Sequence, residues 1–390
     1  MTSARVPVVS IIVPARNEEA CLQRCLESLV SQEGIHFEII VVDDASTDRT
    51  GEIARSFAVR PGPTVTVITA PLLPENWTGK NNAMSAGAKI AKGNWLLFTD
   101  ADTFHKPGSL SHAISEAEHE DAALLSYSPE QEVETFWEKA VMPVIFAELA
   151  ARYPPAKVRD PNSPIAAANG QYLLISRDAY EAVGGHTKIA SDLLEDVAMA
   201  RLVKSSGRKV WFRYGGDAVR TRMYSSWPQM REGWTKNLAL LFSNPAKLAQ
   251  EKLGVFLVVL LAPLSLARGA YWKAFLDALT PPMRWNAVLF GIATCLIVPV
   301  FALLHVIRLR RAHFAWTGVV FGFFGLPVFA YLLWKSDRAY KSGRFDWKDR
   351  SYVYNAEEVK NLTHGFSAPP RRGTWQKILA RIRTSGKASS

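Results

Sequence analysis

The segment "NWLLFTDADTFHKPG", residues 94–108, runs an apolar stretch into two carboxylates one residue apart, Asp100 and Asp102. Like charges that close repel, and a carboxylate buried without a partner carries a large desolvation cost. A positive charge is therefore expected between them. A hard divalent cation, held by one or two carboxylates and by substrate phosphates, meets that need. It would also stabilise a diphosphate as charge builds on it during departure. A second acidic pair, Asp43-Asp44, closes another apolar run, "FEIIVVDD" at 37–44. Taken alone, Asp100 and Asp102 also fit a plain turn, with Asp102 or Thr103 capping a helix near Pro107.

Short β-branched runs at 8–14, 37–44, 64–69 and 94–100 read as buried strands. Between them, Leu22, Leu26 and Leu29 lie at helical spacing within 18–32. A helix over 46–58 opens on a Ser/Thr/Asp cluster, and another over 81–93 ends at Gly93. Strands and helices alternating through short connections are the pattern of a parallel, doubly wound α/β sheet. Ligands bind beyond the C-terminal ends of such strands, where both acidic pairs fall. Residues 134–153 are apolar and aromatic, interrupted by Pro143. They fit an amphipathic helix on a membrane and an ordinary core helix equally well. A strand and helix follow within 164–186, then a helix over 191–207 opened by Ser191 and Asp192, then a strand at 208–214.

The chain has 390 residues and a net charge of +10, unevenly spread. Residues 253–390 carry 19 Lys and Arg against 6 Asp and Glu, while the first 252 carry 27 against 30. The basic residues flank apolar runs rather than forming a patch on the acidic part. That argues for a membrane with anionic headgroups and against nucleic acid. The runs at 286–307 and 315–334 are long enough to span a bilayer; 253–267, with Pro263, fits a span or a re-entrant segment. Counting Lys and Arg favours two crossings over three, with the basic tail 336–390 in the cytoplasm. Within that tail, Trp375, Ile378, Leu379 and Ile382 form an apolar face among basic residues, as in an interfacial helix. Three cysteines give no disulfide framework, and Cys21 and Cys25 share a helix face as small buried residues. The N-terminal run lacks the marks of a signal peptide, so the first domain is expected on the cytoplasmic side.

"SIIVPARNEE", "EIIVVDDASTDRTGEIA", "FTDAD", "LLEDVAMA" and "EGWTKN", in this order and spacing, resemble the family 2 glycosyltransferases over roughly residues 8–240. "WTGK" with "NNA", and "ANGQYLLISRDAYEAVGGH", are most similar to the membrane-attached branch that modifies hopanoids and carotenoids. The resemblance implies an α/β GT-A domain over 1–245, a membrane region over 246–335 and the tail beyond. It implies a nucleotide-sugar donor, a UDP-hexose, a membrane lipid acceptor, and Mg²⁺ or Mn²⁺ as cofactor. The place would be a bacterial-type inner membrane, crossed more than once.

Residue by residue, the resemblance implies that Pro14, Ala15, Arg16, Asn17 and Glu18 line the nucleotide. Asp44 would contact uracil or ribose, with Asp43 beside it. Lys80 would approach the diphosphate, Asp100 and Ala101 would meet ribose and sugar, and Asp102 would be the main metal ligand. Asp196 matches the family's general base. A hydroxyl is a poor nucleophile at its free pKa, and a carboxylate against it takes the proton as it attacks the anomeric carbon. Attack opposite the leaving diphosphate inverts that centre. Glu195, beside Asp196 and grouped with the acceptor-side candidates, is the neighbouring acid and is expected to point elsewhere on the helix. Asn169 and Gln171 are candidate contacts to acceptor or donor sugar, and His186 could join the metal site or the base. Arg231, Trp234 and Lys236 stand where processive members carry Gln-x-x-Arg-Trp, but Gly233 precedes the tryptophan here, which disfavours a polysaccharide synthase. A polyprenyl phosphate acceptor needs no base, so Asp196 speaks against that rival. An inactive nucleotide-sugar-binding scaffold would be expected to have lost one of Asp44, Asp102 and Asp196, and all three are present.

Overall fold

A computed structural model of the chain describes residues 7–266, 276–342, 344–347 and 350–353. Its first part alternates strand and helix as the apolar periodicity requires. In chain order the elements are β1 (Val9–Ala15), α1 (Leu22–Val30), β2 (Phe37–Asp43), α2 (Thr50–Ala58), β3 (Thr64–Thr69) and α3 (Gly79–Ile90). Then come β4 (Trp95–Phe98), β5 (Thr103–His105), α4 (Ser109–His119), β6 (Leu124–Ser128), β7 (Glu130–Gln131) and α5 (Phe136–Arg152). The series closes with α6 (Pro155–Arg159), β8 (Leu173–Ser176), α7 (Arg177–Ala182), α8 (Glu195–Ser205), β9 (Val210–Tyr214) and β10 (Val219–Thr221).

Seven strands form one sheet in the order β3-β2-β1-β4-β8-β6-β9. Strand β1 runs parallel to β2 and β4, β2 to β3, and β6 to β9. Strand β8 runs antiparallel to both its neighbours, β4 and β6. The sheet is therefore mixed, which corrects the expectation of an all-parallel one. The reason is the long excursion after β6. The chain leaves the sheet at Ser128 and re-enters from the same edge at Leu173, so the next strand must run backwards. That entry sets Leu173 opposite Phe98, the last residue of β4. A smaller sheet, β5-β10-β7, flanks the same edge, with Thr221 opposite Thr103 and Gln131.

The central strands are buried on both faces, as continuous apolar runs demand; Ile11, Val13, Ile39, Val41, Leu97 and Leu174 belong to one core cluster. Cys25 is buried in it, whereas Cys21 is half-buried, with its thiol 3.2 Å from Glu18 Oε2. Most of α5 is buried, including Val141, Met142, Val144 and Ile145, which favours the core reading of that helix; Phe136 and Trp137 at its start are exposed. Helix α4 begins after Gly108, which adopts φ 71°, so Asp102 and Thr103 are not used as its caps. Helix α8 begins at Glu195 rather than at Ser191, with a 3₁₀ turn over Gly185–Ile189 before it.

Two compact units divide the chain. The first runs to Ser226, without Pro143–Ile145, and includes Ala312–Phe314. The second contains the helices Trp227–Leu241, Pro245–Leu266, Pro281–Arg310 and Trp316–Lys341 and a hairpin of Arg344–Trp347 with Arg350–Val353. The division falls ahead of Trp227, earlier than the expected boundary at 245, because that helix is bonded to the last one. The Ser336 hydroxyl donates to the Thr235 carbonyl at 2.6 Å and accepts from the Ala239 N–H at 2.8 Å. The Tyr340 hydroxyl donates to the Lys236 carbonyl at 2.7 Å. Among the described residues one helix, Trp316–Lys341, is long and apolar enough to cross a membrane. The other two expected spans fall mainly within Pro245–Leu266 and Pro281–Arg310. The tail's expected interfacial helix lies outside the described residues.

A buried network ties the return from α3 to the sheet. The Glu38 carboxylate accepts from Ser10 Oγ at 2.6 Å and from the Lys92 N–H at 2.7 Å, while the Gly93 N–H donates to Ser10 Oγ at 2.8 Å. A Cβ on Gly93 would stand 2.5 Å from Ser10 N and 2.6 Å from Val9 C, backbone atoms that cannot swing aside. Gly93→Ala is accordingly expected to lower the stability of the first unit by about 2–3 kcal/mol, read from a denaturant or thermal melt.

Candidate active site

The strand ends that face one edge of the sheet deliver the acidic residues. The loops after β1 and β2 are laced together there by side chain to backbone bonds. The Asn17 N–H donates to Ser46 Oγ at 3.1 Å, the Thr47 N–H to Asn17 Oδ1 at 2.9 Å, and the Glu18 N–H to Thr50 Oγ1 at 2.7 Å. Arg16 Nη1 donates to the Asp44 carbonyl at 2.8 Å, and Asp43 Oδ1 accepts from the Ser46 N–H at 3.0 Å. Asp43 thus closes its own turn, while Asp44 is buried beside Ala15 through an N–H to carbonyl bond of 2.8 Å. The structure brings Pro14, Ala15, Asn17, Glu18, Asp43 and Asp44 into one loop pair.

After β4 the chain turns tightly. Thr103 Oγ1 donates to the Asp100 carbonyl at 2.7 Å, and Thr99 Oγ1 donates to the Gln171 carbonyl at 2.8 Å. Buried His105 supports this turn, its Nε2 3.0 Å from Thr99 Oγ1, and burial lowers its pKa to about 3, so the ring is neutral. Ala101 is buried in the turn. Thr221 Oγ1 donates to the Asp102 carbonyl at 3.2 Å and accepts from Gln171 Nε2 at 3.1 Å.

One member of the acidic pair, Asp100, meets a positive side chain. Lys80 Nζ lies 2.6 Å from Asp100 Oδ1 and 2.7 Å from Glu195 Oε1. Burial disfavours the ammonium, but the Asp100 and Glu195 carboxylates outweigh it and hold the Lys80 pKa well above the usual lysine range. Lys80 stands in the first turn of α3, whose Thr78 cap accepts from the Asn81 N–H at 3.1 Å. Its ammonium therefore sits near the positive end of a helix dipole, a place suited to anions.

Asp196 is the neighbour of that cluster. Its Oδ2 accepts from the Gly170 N–H at 2.9 Å and its Oδ1 from the Val197 N–H at 2.7 Å. Burial, reinforced by the Glu195 carboxylate, raises its pKa to about 7 against the opposing pull of Lys80 and the two N–H groups. Gly170 has no side chain for a reason: a Cβ there would lie 3.1 Å from both Glu195 Oε1 and Lys80 Nζ. Asn169 Oδ1 accepts from the Gln171 N–H at 2.9 Å, so it shapes the same turn. His186 is buried, 2.9 Å from the Tyr180 hydroxyl through Nδ1 and edge-on to Phe98. Burial, and then the Lys80 charge, lower its pKa to about 3, leaving it neutral.

Arg231, Trp234 and Lys236 belong to the second unit, where Trp234 is buried and Arg231 exposed. The site gathered by the first unit is built without them. Two of its residues lie within the motifs that carry the family resemblance but had no role of their own. Gly170 was hidden between two polar candidates, Asn169 and Gln171. Asn81 donates from Nδ2 to the carbonyls of Ile189 at 2.7 Å, Ala190 at 3.0 Å and Asp192 at 2.9 Å. Only its place beside Lys80 could have drawn attention to it.

Among the described residues no three His, Cys, Asp or Glu side chains cluster closely enough to cage a metal by themselves. The oxygen donors near the turn still suit a hard cation that takes most of its ligands from a diphosphate. Beyond the Asp102 carboxylate, the buried Gln171 Oε1 has no hydrogen-bond partner among the described residues, which leaves its lone pairs available.

Residues 10–184 match the family model described as Glycosyl transferase family 2. A 4,4'-diaponeurosporenoate glycosyltransferase of Staphylococcus aureus is 29% identical over 239 residues, 59% of this chain and 60% of the relative. The same enzyme of Staphylococcus haemolyticus is 31% identical over 243 residues, 60% of this chain and 61% of the relative. The chain thus spans about 60% of the length of the curated relatives it matches. Among solved structures, a mannosyltransferase from Pyrobaculum calidifontis, in complex with GDP-Man and Mn²⁺, aligns over 86% of this chain and 87% of that one. The identity is 17% and the TM-score 0.47.

The raised pKa of Asp196 has a stability consequence. In the unfolded chain the carboxyl ionises near its ordinary value of 3.8. Between that pH and about 7 the folded form holds a proton that the unfolded form has lost, so stability falls as pH rises through this window. Asp196→Asn removes the effect. It is expected to leave stability nearly unchanged at acid pH and to raise it by about 1–2 kcal/mol at alkaline pH, discounted because the carboxylate is partly open to water. Denaturant titrations of both proteins across the window check the sign.

Proposed function

We propose that the protein transfers one sugar from a nucleotide-diphospho-sugar, a UDP-hexose, to a hydroxyl or carboxyl group on a membrane lipid. The observation that carries the reading is the cluster of Lys80, Asp100, Glu195 and Asp196 at the sheet edge where β1, β2 and β4 end. The match of residues 10–184 to a glycosyltransferase family model supports the reaction class. The relatives named for 4,4'-diaponeurosporenoate support a carotenoid-type lipid acceptor. The apolar helix Trp316–Lys341 supports membrane attachment; the reading adds a second crossing within Pro281–Arg310 and a catalytic unit on the cytoplasmic side.

In this reading the laced loops of Pro14–Glu18 and Asp43–Asp44 hold the nucleotide. Lys80 and the N-terminus of α3 face the diphosphate, and Asp100 meets the ribose and sugar. A divalent cation, Mg²⁺ or Mn²⁺, held through Asp102 with Gln171 Oε1 as a further oxygen donor, supplies charge that stabilises the leaving diphosphate. Where the acceptor is a hydroxyl, Asp196 accepts its proton; a carboxyl acceptor is already ionised near neutral pH and attacks without that transfer. A new bond forms from the acceptor oxygen to the anomeric carbon as the bond to the diphosphate breaks, with inversion. A base whose pKa lies near neutrality suits this step, since it is ionised at working pH and still takes a proton well. Arg231, Trp234 and Lys236 remain candidates for acceptor contacts.

The test offers labelled UDP-glucose, Mn²⁺ and a bacterial lipid extract to the purified chain in detergent. A labelled lipid is expected from the native chain, with a rate that rises with pH through about 7 as Asp196 ionises. Asp196→Asn should lower kcat by about 100- to 10,000-fold. A variant as active as the native chain, with a flat pH profile, would mean an acceptor already ionised and no base role for Asp196. Failure of UDP to bind in the presence of Mn²⁺ would overturn the transferase reading.

A further inference from the structure

We infer that Asn81 is a positioning residue that couples the helix carrying Lys80 to the segment carrying Glu195 and Asp196. The inference rests on the proposed roles of those residues.

Asn81 is fully buried, and its two amide hydrogens face three carbonyls, those of Ile189, Ala190 and Asp192. The Thr78 N–H adds a bond to the Ala190 carbonyl at 2.8 Å. These carbonyls belong to the connection between the 3₁₀ turn and α8. The Asp192 carbonyl accepts this side chain just ahead of α8, which starts at Glu195 although Ser191 and Asp192 read as a helix opening. One residue away, Lys80 grips the Glu195 side chain at 2.7 Å. Successive residues of one helical turn therefore hold the backbone and the side chain of the same acidic segment. The Ile189 and Ala190 carbonyls keep a backbone donor each, from the Asp192 and Thr78 N–H groups, whereas losing the Asn81 amide would strip the Asp192 carbonyl of its donor and leave a buried chain segment less firmly held. The link sets the separation between Lys80, on the donor side, and Asp196, on the acceptor side.

Two readouts test this, and the first needs no activity. Hydrogen exchange by mass spectrometry is measured on the full chain in detergent, native and with Asn81→Ala and Asn81→Ser. Peptides spanning 189–197 and 168–172 are expected to exchange at least about tenfold faster in Asn81→Ala, while β1 and β2 keep their protection. Asn81→Ser, which retains one donor, should fall between native and alanine, and it serves if alanine does not fold. In the transfer assay kcat is expected to fall at least about tenfold with the UDP-glucose KM nearly unchanged, as for lost alignment rather than lost binding. Exchange that rises equally across the sheet would make Asn81 a general stabilising residue and overturn the inference. Unchanged exchange at 189–197 would overturn it as well, whatever the kinetics. If the native chain transfers no sugar, the proposed reaction fails, while the exchange result still decides whether Asn81 governs the acidic segment.

Discussion

The Lys80 ammonium between Asp100 and Glu195 is the contact on which the rest of this site depends. Three elements far apart in the chain end within reach of it: the turn after β4, the first turn of α3, and the start of α8. Without a cation there, the Asp100 and Glu195 carboxylates, with Asp196 alongside, would repel one another in a poorly solvated space. With it, Asp100 and Glu195 share one ammonium, and Asp196 is left with burial and the like charge of Glu195 acting on it. That imbalance is what lifts the Asp196 pKa toward neutrality. The same lysine therefore holds the site together and leaves one carboxyl able to exchange a proton.

Topology supplies the remaining partner. Because β8 runs against the other strands, the loop ahead of it arrives at the edge where the parallel strands end. An all-parallel sheet would have put Asn169, Gly170 and Gln171 at the opposite edge. Here the Gly170 N–H reaches Asp196, and the absence of a Cβ lets the Lys80–Glu195 pair close against it. The Gln171 carbonyl meets Thr99 and its side chain meets Thr221, so one tripeptide ties β4, β10 and α8 together. The reversal of a single strand thus joins the turn after β4 to the start of α8.

The buried Glu38–Ser10–Lys92 network shows how the sheet itself tolerates a polar group. Every oxygen bond there goes to a donor from β1 or from the return after α3, so the carboxylate fixes that return instead of destabilising the core. The consequence is a fixed start for β4, and hence a fixed exit at Asp100.

The sequence by itself determined the strands and the acidic ends they carry. Continuous β-branched runs have one low-energy use, burial on both faces, and their ends must then fall together at one edge. Asp43, Asp44, Asp100 and Asp102 could be placed on those grounds, and the ordered motifs added Asp196 and Lys80. The direction of β8 was not legible, because a four-residue apolar strand has no polarity in its pattern. Nor was the late start of α8, because Ser191 and Asp192 satisfy the local rules for a helix opening, and the segment before Glu195 is instead bonded to Asn81 of a distant helix. The partner of Asp100 was also a tertiary decision. Glu195 lies 95 residues along the chain from Asp100, and only the approach of α3 to the turn after β4 and to α8 put the Lys80 ammonium within hydrogen-bonding distance of both carboxylates.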